Sequence, residues 1–203
     1  FLALDAATST LYISDLLDGT TLDPTQFAQR SAASDPWISM KVAGQYIWLF
    51  GEQTSEVWYD AGSSPFPFAK YPSGLVPYGI AAPFSRAVMD SSIIWLGANV
   101  TGERFVLRAS GFNPEVVSDY PRQLEFSSRP ENIDWDDVSD AQADCMNYLG
   151  HSLYLITFPG PDVTWVWDSS TNKWFKWLTW ISESNVYTAW RPRWHAMAFG
   201  QHR

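Results

Sequence analysis

VTWVWDSSTNKWFKW, residues 163–177, sets four tryptophans on the two sides of one short polar turn. Trp165 and Trp167 lie two residues apart, so in an extended chain they point to one face while Val166 and Asp168 point to the other. Between the aromatic runs, Asp168, Ser169, Ser170, Thr171 and Asn172 carry side chains that bond their own backbone, and Asn172 tolerates a left-handed conformation. Trp174, Phe175 and Trp177 then resume the aromatic pattern. The segment reads as a β-hairpin whose broad rings meet across strands and pack against a neighbouring sheet.

The whole chain shares this character. Its 203 residues include 12 Trp, 9 Tyr, 12 Phe, 12 Gly and 13 Pro, and only 17% are charged, which favours strands and turns over helices. Acidic residues outnumber basic ones by 22 to 13, giving net −9, and such a surface repels nucleic acid phosphates wherever no local basic patch opposes it. Cys145 stands alone, so the fold does not rely on an internal disulfide and suits a reducing cytoplasm. No apolar run approaches the roughly 20 residues of a membrane span, and membrane insertion by this segment is not expected. The chain opens at Phe1 and closes at Arg203 in strand-like sequence, which predicts an internal piece of a longer polypeptide.

A period runs through the sequence. GQYIWLFGEQTSEVWYDAG (44–62), DSSIIWLGANVTGERFVLRASG (90–111) and GHSLYLITFPGPDVTWVWD (150–168) share one design of turn, apolar strand with a central ring, bend and second strand. Aligning Trp48, Trp95 and Tyr154 gives spacings of 47 and 59 residues, which fit a four-stranded propeller blade of ~40–50 residues with room for an insertion. Asp5, Thr8 and Leu11 repeat the spacing of Asp168, Thr171 and Trp174. WISMKV (37–42), FSRAVM (84–89) and AQADCMNYL (141–149) supply a further strand before each hairpin. The expected fold is an all-β, propeller-like array of antiparallel four-stranded blades. Its blades are placed at 1–60, 84–118 and 139–180, with the next beginning at 190–203. A proline-rich connector at 61–83 and an acidic one at 120–138 separate them, the first too rich in proline for long regular structure. PRQLEFSS (121–128) offers a short helix.

The chemistry-bearing residues point away from catalysis. Asp134, Asp136, Asp137, Asp140 and Asp144 fail the EF-hand pattern, because Ser139 and Cys145 stand where it needs Gly and Glu, and they read as a solvated acidic loop. His151, His195 and His202 lack zinc-site spacing, and His151 is expected to bond backbone groups at its turn. Cys145 reads as a small core residue. Glu56, Asp60, Asp90 and Glu103 near strand ends keep open a carbohydrate-active propeller, and a general protein-binding propeller would share every local feature. In RPRWHAMAFGQHR, Arg191, Arg193 and Arg203 are expected to stack on Trp190 and Trp194 rather than on phosphate. No catalytic, metal or cofactor residues are assigned. Trp48, Trp58, Trp95, Tyr154, Trp165, Trp167 and Trp174 are expected in the cores between blades.

LFGEQTSEVWYDAGSSPFPF (49–68), IIWLGANVTGERFVLRASGFNPEVVS (93–118), SDAQADCMNYLGHSLYLITFP (139–159) and TWVWDSSTNKWFKW (164–177) resemble the phage stabilisation proteins of short-tailed bacteriophages. The resemblance runs in one order over about residues 1–200. It implies a non-enzymatic virion protein of the phage tail, made in the host bacterial cytoplasm. In that role a homo-hexameric hub or nozzle closes the portal and adaptor channel, retains packaged DNA and leads to the tail needle or tip. Double-stranded DNA would pass through it without sequence-specific binding. Phe66, Phe68 and Tyr71, in the proline-rich loop, are the expected anchors for a neighbouring subunit.

Overall fold

The computed structural model describes residues 1–30, 33–118, 133–192, 197–198 and 201–202. Among the described residues all regular secondary structure is β-strand, arranged as antiparallel meanders. The first sheet is β1 (Leu2–Asp5), β2 (Thr10–Ser14) and β3 (Leu22–Gln29). The second is β4 (Trp37–Ala43), β5 (Tyr46–Gly51), β6 (Ser55–Asp60) and β7 (Phe68–Val76). The third runs β12 (Asn113–Val116), β11 (Arg104–Ser110), β10 (Ser92–Ala98) and β8 (Gly79–Ile80), with β9 (Ala87–Met89) also on β10. The fourth is β13 (Gln142–Tyr148), β14 (His151–Phe158), β15 (Val163–Asp168), β16 (Lys173–Ile181) and β17 (Val186–Ala189). A two-stranded piece, β18 (Met197–Ala198) and β19 (Gln201–His202), follows.

The chain divides into two compact units, the first comprising Phe1–Ile80, Gly97–Glu103 and Gly111–Pro114, the second the remainder. In the first, Leu11, Trp37, Ile47, Leu49 and Trp58 form a core between the first two sheets. In the second, Ile94 and Leu96 of β10 meet Tyr154, Ile156, Trp165, Trp167 and Trp174 of the fourth sheet. Every residue of β15 is buried, so both faces of this strand are packed.

The hairpin that opened the sequence reading forms as its periodicity demands. Trp167 pairs with Trp174 and Trp165 with Lys176, while Val166 pairs with Phe175 on the other face. Asn172 takes φ +52°, and its side-chain oxygen accepts the Trp167 indole N–H at 3.1 Å. The same turn is built at the start of the chain. Asp5 accepts Ala7 N–H and the Thr8 hydroxyl at 3.0 and 2.6 Å, as Asp168 accepts Ser170 N–H and the Thr171 hydroxyl at 2.9 and 2.8 Å. Ser9, at φ +51°, takes the place of Asn172.

Several expectations change. The stretch 1–60 is not one blade, because its strands belong to two sheets. The second sheet takes its fourth strand, β7, from the connector thought too proline-rich for it. Pro72 is tolerated because the register between β6 and β7 slips there, Glu56 facing Leu75 while Trp58 faces Lys70. A missing N–H costs nothing in such a bulge. In FSRAVM only 87–89 is strand, and Phe84 makes an isolated parallel bridge to Gln142. β17 extends the fourth sheet beyond residue 180. The segment PRQLEFSS lies outside the described residues, as does most of the acidic connector 120–138.

The alignment of the repeat also shifts by one residue. Each inner hairpin closes through two turn residues, with Ala43 facing Tyr46, Met89 facing Ser92 and Tyr148 facing His151. Counted from those turns, Trp95 and Tyr154 match Leu49, not Trp48. Strand alternation therefore puts Trp48 on the opposite face from Leu49, stacked at 22° on Phe50.

Candidate functional site

All seven expected core rings, Trp48, Trp58, Trp95, Tyr154, Trp165, Trp167 and Trp174, are buried. Several also use their polar edge. Tyr154 donates its hydroxyl to the Ser85 carbonyl at 2.7 Å and Trp174 its indole N–H to the Val117 carbonyl at 2.9 Å. Burial pushes the Tyr154 phenol well above its ordinary value of 10.0, and the neighbouring Cys145 adds to this, so the ring stays a neutral donor. Lys176 sits 4.9 Å from the Trp165 ring and Arg108 5.8 Å from Trp167, placing cations on aromatic faces.

Phe66, Phe68 and Tyr71 are partly buried and engaged within the first unit. Phe66 and Phe68 meet at 5.9 Å and pack on its core. Tyr71 joins Tyr46, Tyr59 and Phe112 in a cluster of rings with centroids 4.7–6.0 Å apart. More exposed large apolar residues lie elsewhere, among them Leu16 and Leu17 in the β2–β3 turn and Trp180 and Tyr187 on the β16–β17 hairpin.

The most concentrated polar constellation was not foreseen. Arg30, at the end of β3, has only 3% of its side chain exposed and meets Asp35 at 3.1 Å and Glu56 at 3.5 Å. Glu56 is 1% exposed and also accepts the Trp58 indole N–H at 3.1 Å. Asp35 accepts the backbone N–H groups of Gln53 and Thr54 at 2.9 and 3.0 Å and the Thr54 hydroxyl at 2.9 Å. Arg30 in turn donates to the Thr54 hydroxyl and carbonyl. Burial pushes the Asp35 carboxyl up, but the bonds from Gln53 and Thr54, with Arg30 beside it, more than offset this and hold it below 3.8. Removing one partner from such a buried set leaves an uncompensated charge, at about 3–5 kcal/mol.

This network gives physical meaning to the string FGEQTSEVWY. Gly51 is bare because a Cβ there would strike the Arg30 guanidinium and the Asp35 carboxylate. Thr54, Glu56 and Trp58 are the network's other ligands. Sequence reading placed Glu56 among possible catalytic acids, but its partners make it a fixed counter-charge.

A second constellation joins three turns of the second unit. His151 Nδ1 lies 2.8 Å from Asp168, correcting the expectation that this ring serves backbone groups; the carboxylate, already holding Ser170 and Thr171, is the stronger acceptor. Burial raises the Asp168 pKa, yet Thr171, Ser170 and His151 together bring it below 3.8. Asp90 accepts the Ser152 hydroxyl at 2.8 Å and pairs with Arg108 at 3.8 Å.

The remaining candidate acids are tied locally. Asp60 accepts Gly62 N–H, Glu103 accepts from Asn99 and Thr101, and Asp134 accepts Asp136 N–H. Around the last of these, Ile133 and Val138 enter the core while Asp134, Asp136 and Asp137 face outward. Among the described residues no group of three or more His, Cys, Asp or Glu side chains is placed to hold a metal ion. Trp190 packs on Trp177 at 5.4 Å, and Arg191 is exposed. Arg193, Trp194, His195 and Arg203 lie outside the described residues, as does the side chain of His202.

Meandering antiparallel sheets with buried rings packed on them are those of the β-propeller class. The family model described as Bacteriophage P22 Gp10, beta-propeller, matches residues 2–202, and the chain belongs to this phage stabilisation family. No curated protein matches it.

Proposed function

We propose that the protein is a tail hub or nozzle subunit, which assembles as a homo-hexamer below the portal and adaptor rings, closes their channel and retains packaged DNA. The reading rests on family membership over residues 2–202. Physical character supports it. An acidic wall, at net −9, repels phosphates over a Debye length of roughly 8–10 Å, so a conduit of this kind does not hold the genome by salt bridges. Sheets densely packed with aromatic rings suit a particle under pressure, and a tail needle or tip would meet the far end of the conduit. Phe66, Phe68 and Tyr71 would act through the loop they brace rather than as free anchors.

The test is the mass of the full-length protein alone and mixed with purified portal and adaptor rings, by light scattering, followed by electron microscopy. Docking of a six-fold ring that closes the adaptor channel is expected. A stable monomer that leaves those rings unoccupied would refute the proposal.

A further inference from the structure

Unmet hydrogen-bonding capacity collects at one place in the first unit. Among the described residues, the buried side-chain nitrogens and oxygens that hold no hydrogen bond are Nε and Nη1 of Arg30, Nε1 of Trp37 and Oε1 of Glu56. Buried polar atoms are nearly always bonded, so each exception calls for a cause. These exceptions belong to three side chains of one neighbourhood and call for a shared cause.

The strand register brings them together. In β5, Ile47, Leu49 and Gly51 share one face, because alternate residues of a strand do. Trp58 lies opposite Ile47, Glu56 opposite Leu49 and Trp37 opposite Gly51, so all three side chains project from that face. Arg30 reaches it from the end of β3, its Nη1 taking the space that a side chain on Gly51 would fill. The guanidinium therefore lies in the slot across from Trp37. Its Nε faces Glu56 Oε1 at 3.5 Å, near enough for attraction between charges but too far for a good hydrogen bond. The other Glu56 oxygen accepts the Trp58 indole N–H at 3.1 Å, and the Trp58 ring meets the Trp37 ring edge to face at 5.8 Å. Trp37 is fully buried, as are the Arg30 and Glu56 side chains, so bulk solvent does not reach these atoms.

Charge and hydrogen-bonding capacity narrow what can satisfy them. The three nitrogens donate, and the carboxylate oxygen accepts. Asp35 and Glu56 already set two carboxylates against one guanidinium, so an added anion would increase an excess of negative charge away from solvent. An added cation would face N–H groups. A neutral molecule that both accepts and donates meets neither objection, and about three protein partners is the usual number for a buried water.

We infer that the first unit holds an internal water molecule between its two sheets, bound by Arg30 Nη1, Trp37 Nε1 and Glu56 Oε1. It accepts from the two nitrogens and donates to the carboxylate oxygen. Trp37, whose other core neighbours are Leu11, Ile47, Leu49 and Trp58, is thereby joined to the ion network of Arg30, Asp35 and Glu56. The site does not depend on the hub reading.

A crystal structure of the whole chain, at a resolution that shows ordered water, is the direct test. Density for one water at roughly 2.7–3.2 Å from Arg30 Nη1, Trp37 Nε1 and Glu56 Oε1 is expected. Density with the anomalous signal of a halide, or Nη1 bonded directly to Oε1 with nothing between, would overturn the inference. In solution, magnetic relaxation dispersion of water oxygen detects waters held longer than the protein tumbles. Trp37→Phe keeps an aromatic ring but removes one of the three ligands. It is expected to shorten the residence of one such water by about tenfold, the equivalent of one lost hydrogen bond. Trp180→Phe, at an exposed indole, should leave the dispersion unchanged. A dispersion the same in Trp37→Phe as in the unaltered chain would also overturn the inference, and the crystal structure decides it alone if that variant fails to fold.

Discussion

Gly51 shows how a single atom's absence can be a structural requirement. A methyl at this position would enter the space of the Arg30 guanidinium and the Asp35 carboxylate, and would come within 2.8 Å of the Thr54 carbonyl. The first two belong to a buried ion network and the third to backbone, so the neighbours have little room to yield. Overpacking of this kind costs about 1–3 kcal/mol, more if an ion pair opens. Gly51→Ala is therefore expected to lower the midpoint of chemical denaturation, whereas Gly160→Ala, with open space around its Cβ, should leave it unchanged. Equal midpoints for the two variants would contradict the crowding. The network itself was not legible in the sequence. Arg30 and Asp35 belong to an irregular connector, and nothing in their spacing from Glu56, more than 20 residues away, shows that three charges meet. What the sequence did display was their shadow, a glycine, a threonine and a glutamate at fixed intervals in one strand pair.

At the scale of the element, hairpins were legible where turn chemistry and alternation agreed, as at 163–177. They were misplaced where the two conflicted. Trp48 was aligned by its bulk, but the two-residue turns set the register, and bulk one position out of phase points to the other face. β7 was missed because a proline tells against a strand unless a bulge receives it, and the bulge is set by pairing with β6. The turn between β13 and β14 offers a test of this reading. Leu149 and Gly150 both have positive φ, +48° and +84°, and Leu149 is exposed. A leucine in that region costs about 1–2 kcal/mol, whereas asparagine followed by glycine suits a two-residue turn of this hand. Leu149→Asn is expected to stabilise the chain by about 1 kcal/mol, read as a raised melting temperature. A lowered one would mean that the leucine makes contacts worth more than its backbone strain.

For the whole molecule, charge is the property that the sequence states most directly and that one local constellation does not determine. The 22 acidic residues outnumber the 13 basic ones, and cations among the described residues are partly withdrawn from solvent. Arg30 is buried between two carboxylates, Arg108 lies beside Asp90 and the Trp167 ring, and Lys176 leans on Trp165. A cation held by a carboxylate or an indole releases no counterions from DNA, so these contribute little to phosphate affinity. The hub proposal needs a wall along which a duplex slides, and such a wall works through weak or repulsive electrostatics at every phosphate. The chain should therefore fail to retard double-stranded DNA in a gel at low salt and about 10 μM protein, where a basic non-specific binder would already shift it. Retardation that fades as salt is added would reveal a cationic surface strong enough to grip the duplex, and would count against a conduit that lets DNA pass.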